Sequence, residues 1–250
     1  MMKRALVTGG GSGIGFSVAR RLCADGFLVT LAGRSGGRLK EACARLPGSG
    51  YVLLDVTDEA GVDATWQRLV AENGTPDILI NNAGAAETAP FERTSTDLWH
   101  RMLDVNLTGA FLMTRAALPQ MKKTGFGRII TVASTAGLTG YAYTAAYTAA
   151  KHGVVGMTRA LALELAGTGV TANAVCPGFT DTDIVRDSVA NIIEKTGRSK
   201  EDALSAMTKN NPEGRLVTPD EVADAVAWLA GVGASAINGQ AIAVACGEVM

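Results

Sequence analysis

Tyr147 and Lys151 stand four residues apart in the run YTAAK, and Ser134 lies thirteen residues ahead of the tyrosine. On a helix, positions i and i+4 share one face, so the phenol and the ammonium can act as a pair. An ammonium beside a phenol stabilises the phenolate and lowers its pKa from about 10. That is one route to a tyrosine general acid or base working near neutral pH. Tyr141 and Tyr143 are close in sequence, but neither has a lysine at i+4. His152 follows Lys151 directly and so faces away from the pair; it and His100 read as packing or surface residues.

A second group of residues has the types needed to hold phosphate. Thr8 is followed by Gly9, Gly10, Gly11, Ser12, Gly13, Ile14 and Gly15, after a short apolar run and before a helical segment. Glycine serves where the backbone takes positive φ and where a pyrophosphate must approach main-chain N–H groups at a helix N-terminus. The spacing is GxxxGxG on Gly9, Gly13 and Gly15, different from GxGxxG, and it lacks a Walker lysine. About twenty residues on, the next apolar run ends at Gly33-Arg34. A dinucleotide fold uses this place to discriminate at the adenosine ribose, with a carboxylate for the 2′-hydroxyl of NAD or arginine for the 2′-phosphate of NADP. Glycine in the carboxylate position and Arg34 beside it favour NADP(H), with NAD(H) as the alternative. Asp55 and Val56 end a third run, and Asn82, Ala83 and Gly84 follow a fourth. Asp55 could accept from the adenine amino group, and the Asn82 amide could tie neighbouring strand ends together.

These residues need a scaffold that brings chain segments far apart in sequence to one edge. Short apolar runs at 4–8, 28–32, 51–54, 77–81, 128–133, 170–175 and 240–245 alternate with helical patterns at 13–24, 36–46, 59–72, 96–122, 144–166 and 219–230. Such alternation implies βαβ units. The expected fold class is α/β: a single-domain, Rossmann-type, doubly wound parallel sheet of seven strands with helices on both faces, spanning 1–250. Thr218, Pro219 and Glu221 form a helix-start signal for the last helix. Residues 181–215 interrupt the rhythm with Arg186, Lys195, Arg198, Lys200, Lys209 and Arg215 and are expected to form a lid over the substrate.

The composition excludes other function classes. The 250 residues carry 23 Lys+Arg against 24 Asp+Glu, a net charge of −1 that gives no footprint for nucleic acid or an acidic membrane surface. No run approaches the ~18 apolar residues needed to cross a bilayer, and a soluble, cytoplasmic protein is expected. Cys23, Cys43, Cys176 and Cys246 are scattered and there are only two histidines, so neither a disulfide framework nor a metal site is expected.

The segments TGGGSGIG, LLDVTD, NNAG, DVNLTG, VAST, YTAAK and PGFTDT occur in this order, and over essentially its whole length the sequence resembles the short-chain dehydrogenase/reductase family. The resemblance implies that Tyr147 protonates a carbonyl oxygen during reduction, that Lys151 lowers its pKa and holds the nicotinamide ribose, and that Ser134 hydrogen-bonds the substrate oxygen. It implies a proton-relay water beside Asn106, a nicotinamide ring backed by Pro177 and Gly178, and a carboxamide bonded by Thr182, with Thr180 in the same cofactor segment. Residues 147–182 are similar to 3-oxoacyl thioester reductases and polyketide ketoreductases. This implies NADPH-dependent reduction of a 3-oxo group on an acyl thioester, carried by coenzyme A or by an acyl carrier protein. Thr168 stands where carrier-protein reductases often place arginine, so a carrier would have to meet Arg128, Lys122, Lys123 or Arg159, whereas coenzyme A phosphates would meet the basic lid. A dehydrogenase of a free secondary alcohol or of a cyclic or aryl ketone is the alternative, and a non-catalytic nucleotide sensor a third. The family's usual use of its long helices implies a homotetramer.

Overall fold

The computed structural model describes residues 2–197 and 199–250. Among them, seven parallel strands form one sheet: β1 (Arg4–Thr8), β2 (Leu28–Gly33), β3 (Gly50–Leu53), β4 (Ile78–Asn81), β5 (Gly127–Val132), β6 (Val170–Pro177) and β7 (Ala241–Val244). Their spatial order is β3-β2-β1-β4-β5-β6-β7, so the chain reverses direction of travel between β1 and β4. Ligands in open parallel sheets bind at the carboxyl ends of strands beside such a switch point. The α/β class, the doubly wound sheet and the strand count read from the sequence all hold.

Alternation along the central strands separates the two layers. Val7, Ile78, Ile80 and Ile130 face one side, where they pack with α1 (Gly13–Ala24), α2 (Gly36–Ala44) and α9 (Pro219–Ala230). Leu6, Leu79 and Ile129 face the other, against α3 (Glu59–Asn73) and α5 (Gly109–Thr124). Full burial of each such side chain is worth roughly 1.5–3 kcal/mol. On this second face α6 (Ala145–Glu164) lies over Ala174 and Cys176 of β6 through Val154 and Val155. The expected start of α9 is present as a capping box: Thr218 Oγ1 accepts from the Glu221 N–H while the Glu221 carboxylate accepts from the Thr218 N–H.

The continuous helix expected over 96–122 is three pieces: α4 (Thr96–Leu103), a π turn at Asp104–Thr108, and α5. The cause is Asn106. Its Nδ2 donates to the Met102 carbonyl at 3.0 Å, taking the acceptor an α-helical N–H would use, and the Gly109 N–H reaches back five residues to Asp104. The region 181–215, whose sequence pattern assigns it no elements, contains α7 (Asp183–Thr196) and α8 (Lys200–Thr208), joined through Val185, Val189, Ile193, Leu204 and Met207.

Two charge expectations change. Arg128 is 3% exposed: its guanidinium donates to the carbonyls of Gly127 and Gly169 and stacks 4.4 Å from the Phe126 ring centroid. Burial lowers its pKa, and it is not available to a carrier. Lys122 and Lys123, at the end of α5, are exposed but precede β5 and so stand at the amino ends of the strands, away from any site at the carboxyl ends. Of the basic residues expected in the lid, Arg186 is paired with Asp181 and Asp183, and Arg215 with Glu213 and Glu221. Lys200 and Lys209 are exposed. Arg198 and the Lys195 side chain lie outside the described residues. No helix among the described residues is long and apolar enough to cross a membrane.

Candidate active site

The carboxyl ends of β1, β2, β4, β5 and β6 border one cavity of 1570 Å³. That exceeds the roughly 300–1,000 Å³ of a typical small-molecule pocket, and it leaves room for a dinucleotide beside a substrate. Its walls include Gly9, Gly11, Ser12, Gly13, Ile14, Arg34, Asp55, Val56, Asn82, Ala83, Gly84 and Asn106. Ser134, Tyr147, Lys151, Pro177, Gly178, Thr180 and Thr182 complete the set. Of the site residues expected from the sequence, Gly15 alone does not face the cavity; it works one layer behind.

Gly15 is where the glycine loop folds back on itself. A Cβ there would lie 2.3 Å from the Gly9 carbonyl oxygen, an impossible approach for any other residue. Gly9, with φ +64°, turns the chain into that contact. Asn82 locks the arrangement, its Nδ2 donating to the carbonyls of Thr8 at 3.0 Å and Gly9 at 3.3 Å. The tie between strand ends expected of the Asn82 amide is therefore present. Helix α1, which this loop opens, has no side-chain cap from Ser12 and no acidic residue in its first turn. Helix α2 likewise has no cap from Ser35 and no first-turn acid, whereas α3, α4, α8 and α9 each carry acidic residues there. Bare N–H groups at the positive end of a helix dipole suit an anion. The starts of α1 and α2 border the cavity, as does that of α6, which also lacks a cap and a first-turn acid but lies at the Tyr147 end, and at α2 two guanidinium-bearing residues, Arg34 and Arg38, flank the helix start. Arg38 was not singled out in the sequence; its position one turn into α2, four residues after Arg34, is the signal that could have found it.

Asp55 sits beside Arg34. Its Oδ1 accepts from the Thr57 N–H at 3.0 Å and the Thr57 hydroxyl at 2.7 Å, and Oδ2 lies 3.9 Å from the Arg34 guanidinium. The Thr57 hydrogen bonds, helped by Arg34, hold its pKa below the ordinary carboxylate value. At the other end of the cavity, Thr180 is turned inward, its hydroxyl donating to the Gly178 carbonyl at 2.9 Å, and Thr182 Oγ1 donates to the Thr180 carbonyl at 3.3 Å. The Thr182 methyl carbon lies 3.3 Å from where a Gly13 Cβ would stand, so this segment closes directly over the glycine loop.

The four residues singled out for chemistry converge. Lys151 is 5% exposed, its Nζ donates to the Val132 carbonyl at 2.9 Å and lies 5.6 Å from the Tyr147 ring centroid. Asn106 reaches the same point from the π turn: its Oδ1 accepts from the Ala85 N–H and its Nδ2 donates to the Ala85 carbonyl. The absent side chain of Gly84 makes the room, since a Cβ there would be 2.7 Å from Asn106 Oδ1 and 3.8 Å from Lys151 Nζ. Ser134 caps a short turn, accepting from the Ala136 N–H at 3.1 Å, and its hydroxyl faces the Tyr147 phenol.

The electrostatics differ from the simple pair expected. Burial raises the Tyr147 pKa above its ordinary value, opposed by hydrogen bonding to Ser134, while burial lowers that of Lys151 to about 8. Desolvation is the dominant cause of both shifts. Tyr147 therefore holds its proton through neutral pH, as an acid must, and Lys151 loses its charge in the mildly alkaline range. His152 is exposed with Nδ1 3.0 Å from the Thr148 carbonyl, outside this group. Among the described residues no cluster of His, Cys, Asp or Glu could hold a metal ion.

Residues 3–192 match the family model described as short chain dehydrogenase. The chain is 41% identical over 252 residues to a putative ketoacyl reductase of Streptomyces coelicolor, an alignment covering 97% of this chain and 95% of that protein. It is 40% identical over 242 residues to a D-beta-hydroxybutyrate dehydrogenase of Cupriavidus necator, covering 95% and 94%. Among solved structures, a point variant of actinorhodin polyketide ketoreductase with NADPH superimposes with a TM-score of 0.95 at 38% identity, covering 99% of this chain and 97% of that one.

Proposed function

Given that the chain belongs to the short-chain dehydrogenase family and is an oxidoreductase, we propose that it uses NADPH to reduce the 3-oxo group of an acyl thioester to the 3-hydroxy product. The observation that carries the reading is the convergence of Ser134, Tyr147, Lys151 and Asn106 on one end of a cavity whose other end offers two bare helix N-termini and two arginines. The cofactor fits these residues. The glycine loop and the start of α1 would hold the pyrophosphate, Arg34 and Arg38 the 2′-phosphate, and Pro177 and Gly178 would back the ring. When bound, it supplies the hydride.

The chain's own residues do the rest. Ser134 and Tyr147 direct two O–H groups at one carbonyl oxygen, and as negative charge develops there Tyr147 gives up its proton. Lys151 stabilises the phenolate left behind, and Asn106 stands on the route by which a proton returns. Residues 181–215 act as the lid, with α7 and α8 bringing Val185 and Met207 to the cavity. The similarity to ketoacyl reductases favours a thioester substrate; of the cations a carrier could meet, Arg128 is buried and Lys122 and Lys123 stand at the far edge, while Arg159 on α6 is exposed, so coenzyme A and a carrier protein both fit this reading. The similarity to a hydroxybutyrate dehydrogenase supports the second reading, a free secondary alcohol or ketone. Exposed Phe111 on α5 and Leu163 on α6 support assembly as a homotetramer.

Initial rates of NADPH oxidation with acetoacetyl-CoA, a carrier-mimicking thioester, a bicyclic ketone and an aryl ketone test the substrate class; the highest kcat/KM on a ketone other than the thioesters would replace this reading with the second. For the cofactor, Arg34→Ala is expected to raise the NADPH KM by roughly ten- to a hundredfold, the worth of a charge-assisted hydrogen bond, while sparing NADH. Equal effects on both cofactors would remove Arg34 from the phosphate site.

A further inference from the structure

A carboxylate from the last residues of the chain stands behind the substrate wall. The Tyr141 hydroxyl lies 2.7 Å from Glu248 Oε1 and 2.7 Å from Thr135 Oγ1. With a single proton to give, the phenol donates to the carboxylate and accepts from the threonine hydroxyl. Glu248 also leans on the cofactor segment: a Cβ on Gly178 would lie 2.8 Å from Glu248 Oε2. Tyr141 and Gly178 both line the cavity beside Ser134 and Tyr147, so the carboxylate is set between two wall residues at the substrate end. Phe179 packs edge-on against Tyr141, with centroids 6.0 Å apart. Burial, with Glu248, holds the Tyr141 phenol protonated.

Among the described residues, Lys151, beside Tyr147, is the cation on the wall at this end. Lys151 donates to the Val132 carbonyl and Arg186 is bridged by Asp181 and Asp183, while Arg34 and Arg38 belong to the opposite end of the cavity. Of the acids on the wall, Glu87 is paired with Arg101, Asp183 with Arg186, and Asp55 lies beside Arg34, whereas Glu248 behind it is in no salt bridge among the described residues. Resting on the ketone-reductase reading, we infer that Glu248, acting through Tyr141 and Gly178, is a specificity-determining residue: it makes the enzyme accept 3-oxo groups on neutral acyl derivatives and refuse free 3-oxo carboxylates. A second carboxylate brought into a partly desolvated wall beside Glu248 meets like-charge repulsion. An ester or thioester of the same acid does not.

The test compares acetoacetate, its methyl ester and its N-acetylcysteamine thioester as substrates of the intact enzyme and of Glu248→Gln and Glu248→Asp, with NADPH oxidation as the readout. The expected ester-to-acid ratio of kcat/KM in the parent enzyme is about a hundred or more. Glu248→Gln, which keeps an acceptor for Tyr141 but loses the charge, is expected to lower that ratio about tenfold through the acetoacetate KM. Glu248→Asp is expected to retain it. An unchanged ratio in Glu248→Gln, or an equal fall in Glu248→Asp, would overturn the inference by reducing Glu248 to a packing role. Reduction of the methyl ester with a charge-dependent ratio, but none of the thioester, would overturn the thioester reading and leave the role of Glu248 standing.

Discussion

Tyr147→Phe is expected to lower kcat for ketone reduction by about a thousandfold, within the 10²–10⁴ range of a positioned general acid, while NADPH affinity stays within about threefold. Phenylalanine keeps the ring that packs near Ala146 and Leu98 and removes only the proton donor. Ser134 can still orient the carbonyl, but its aliphatic hydroxyl is a far weaker acid than a phenol of pKa about 10, so it does not substitute. Single-turnover rates with pre-bound NADPH, together with a fluorescence titration of the cofactor, separate the two effects. Retention of more than a few per cent of the rate with binding intact would mean that another group protonates the substrate.

Lys151→Met is expected to abolish activity without destabilising the fold. Burial lowers the lysine from 10.5 to about 8, and at about 1.36 kcal/mol per pKa unit the buried charge costs about 3 kcal/mol at pH 7. The sign follows from linkage. The folded pKa lies below the unfolded one, so the penalty is complete below pH 8, shrinks as pH rises from 8 to 10.5, and is gone above. Methionine removes the penalty but leaves the Val132 carbonyl without the ammonium donor, returning roughly 1–3 kcal/mol. The net change at pH 7 is a stability equal to the parent's or up to about 2 kcal/mol higher, and the difference should move against the variant between pH 8 and 10.5. Urea unfolding at pH 7 and pH 10 measures it; a variant clearly less stable at pH 7 would show that the lysine is a structural support. In the parent enzyme the same titration is expected to make the reduction rate fall above about pH 8.

The parts of this site that were legible in the sequence are those encoded by short spacing. Tyr147 and Lys151 share a helix turn, and the glycine loop, Arg34 and Asn82 lie just after runs whose alternation marks them as strands, so one parallel sheet suffices to bring them to one edge. What escaped needs distances that the chain order hides. Tyr141 and Glu248 are 107 residues apart and meet only because β7 brings the last residues beside the loop after β5. Arg128 reads as a surface cation, yet its place in β5 aims it at the carbonyls of Gly169 and Gly231. The π turn has no spacing signal of its own, because an asparagine inside an amphipathic pattern is compatible with a straight helix as well as with a kink. The direction of the Tyr147 shift was missed for a related reason: spacing reveals a neighbour's charge but not how dry the place is.

The π turn also couples helix geometry to the neighbouring strand end through one residue. A turn of this kind holds one more residue than the helix around it requires, and here the surplus is absorbed by the Asn106 side chain. Loss of that residue would let α4 and α5 run on as one regular helix, but it would also free the Ala85 N–H and carbonyl that the Asn106 side chain holds, so the irregular backbone and the loop after β4 are fixed by the same side chain.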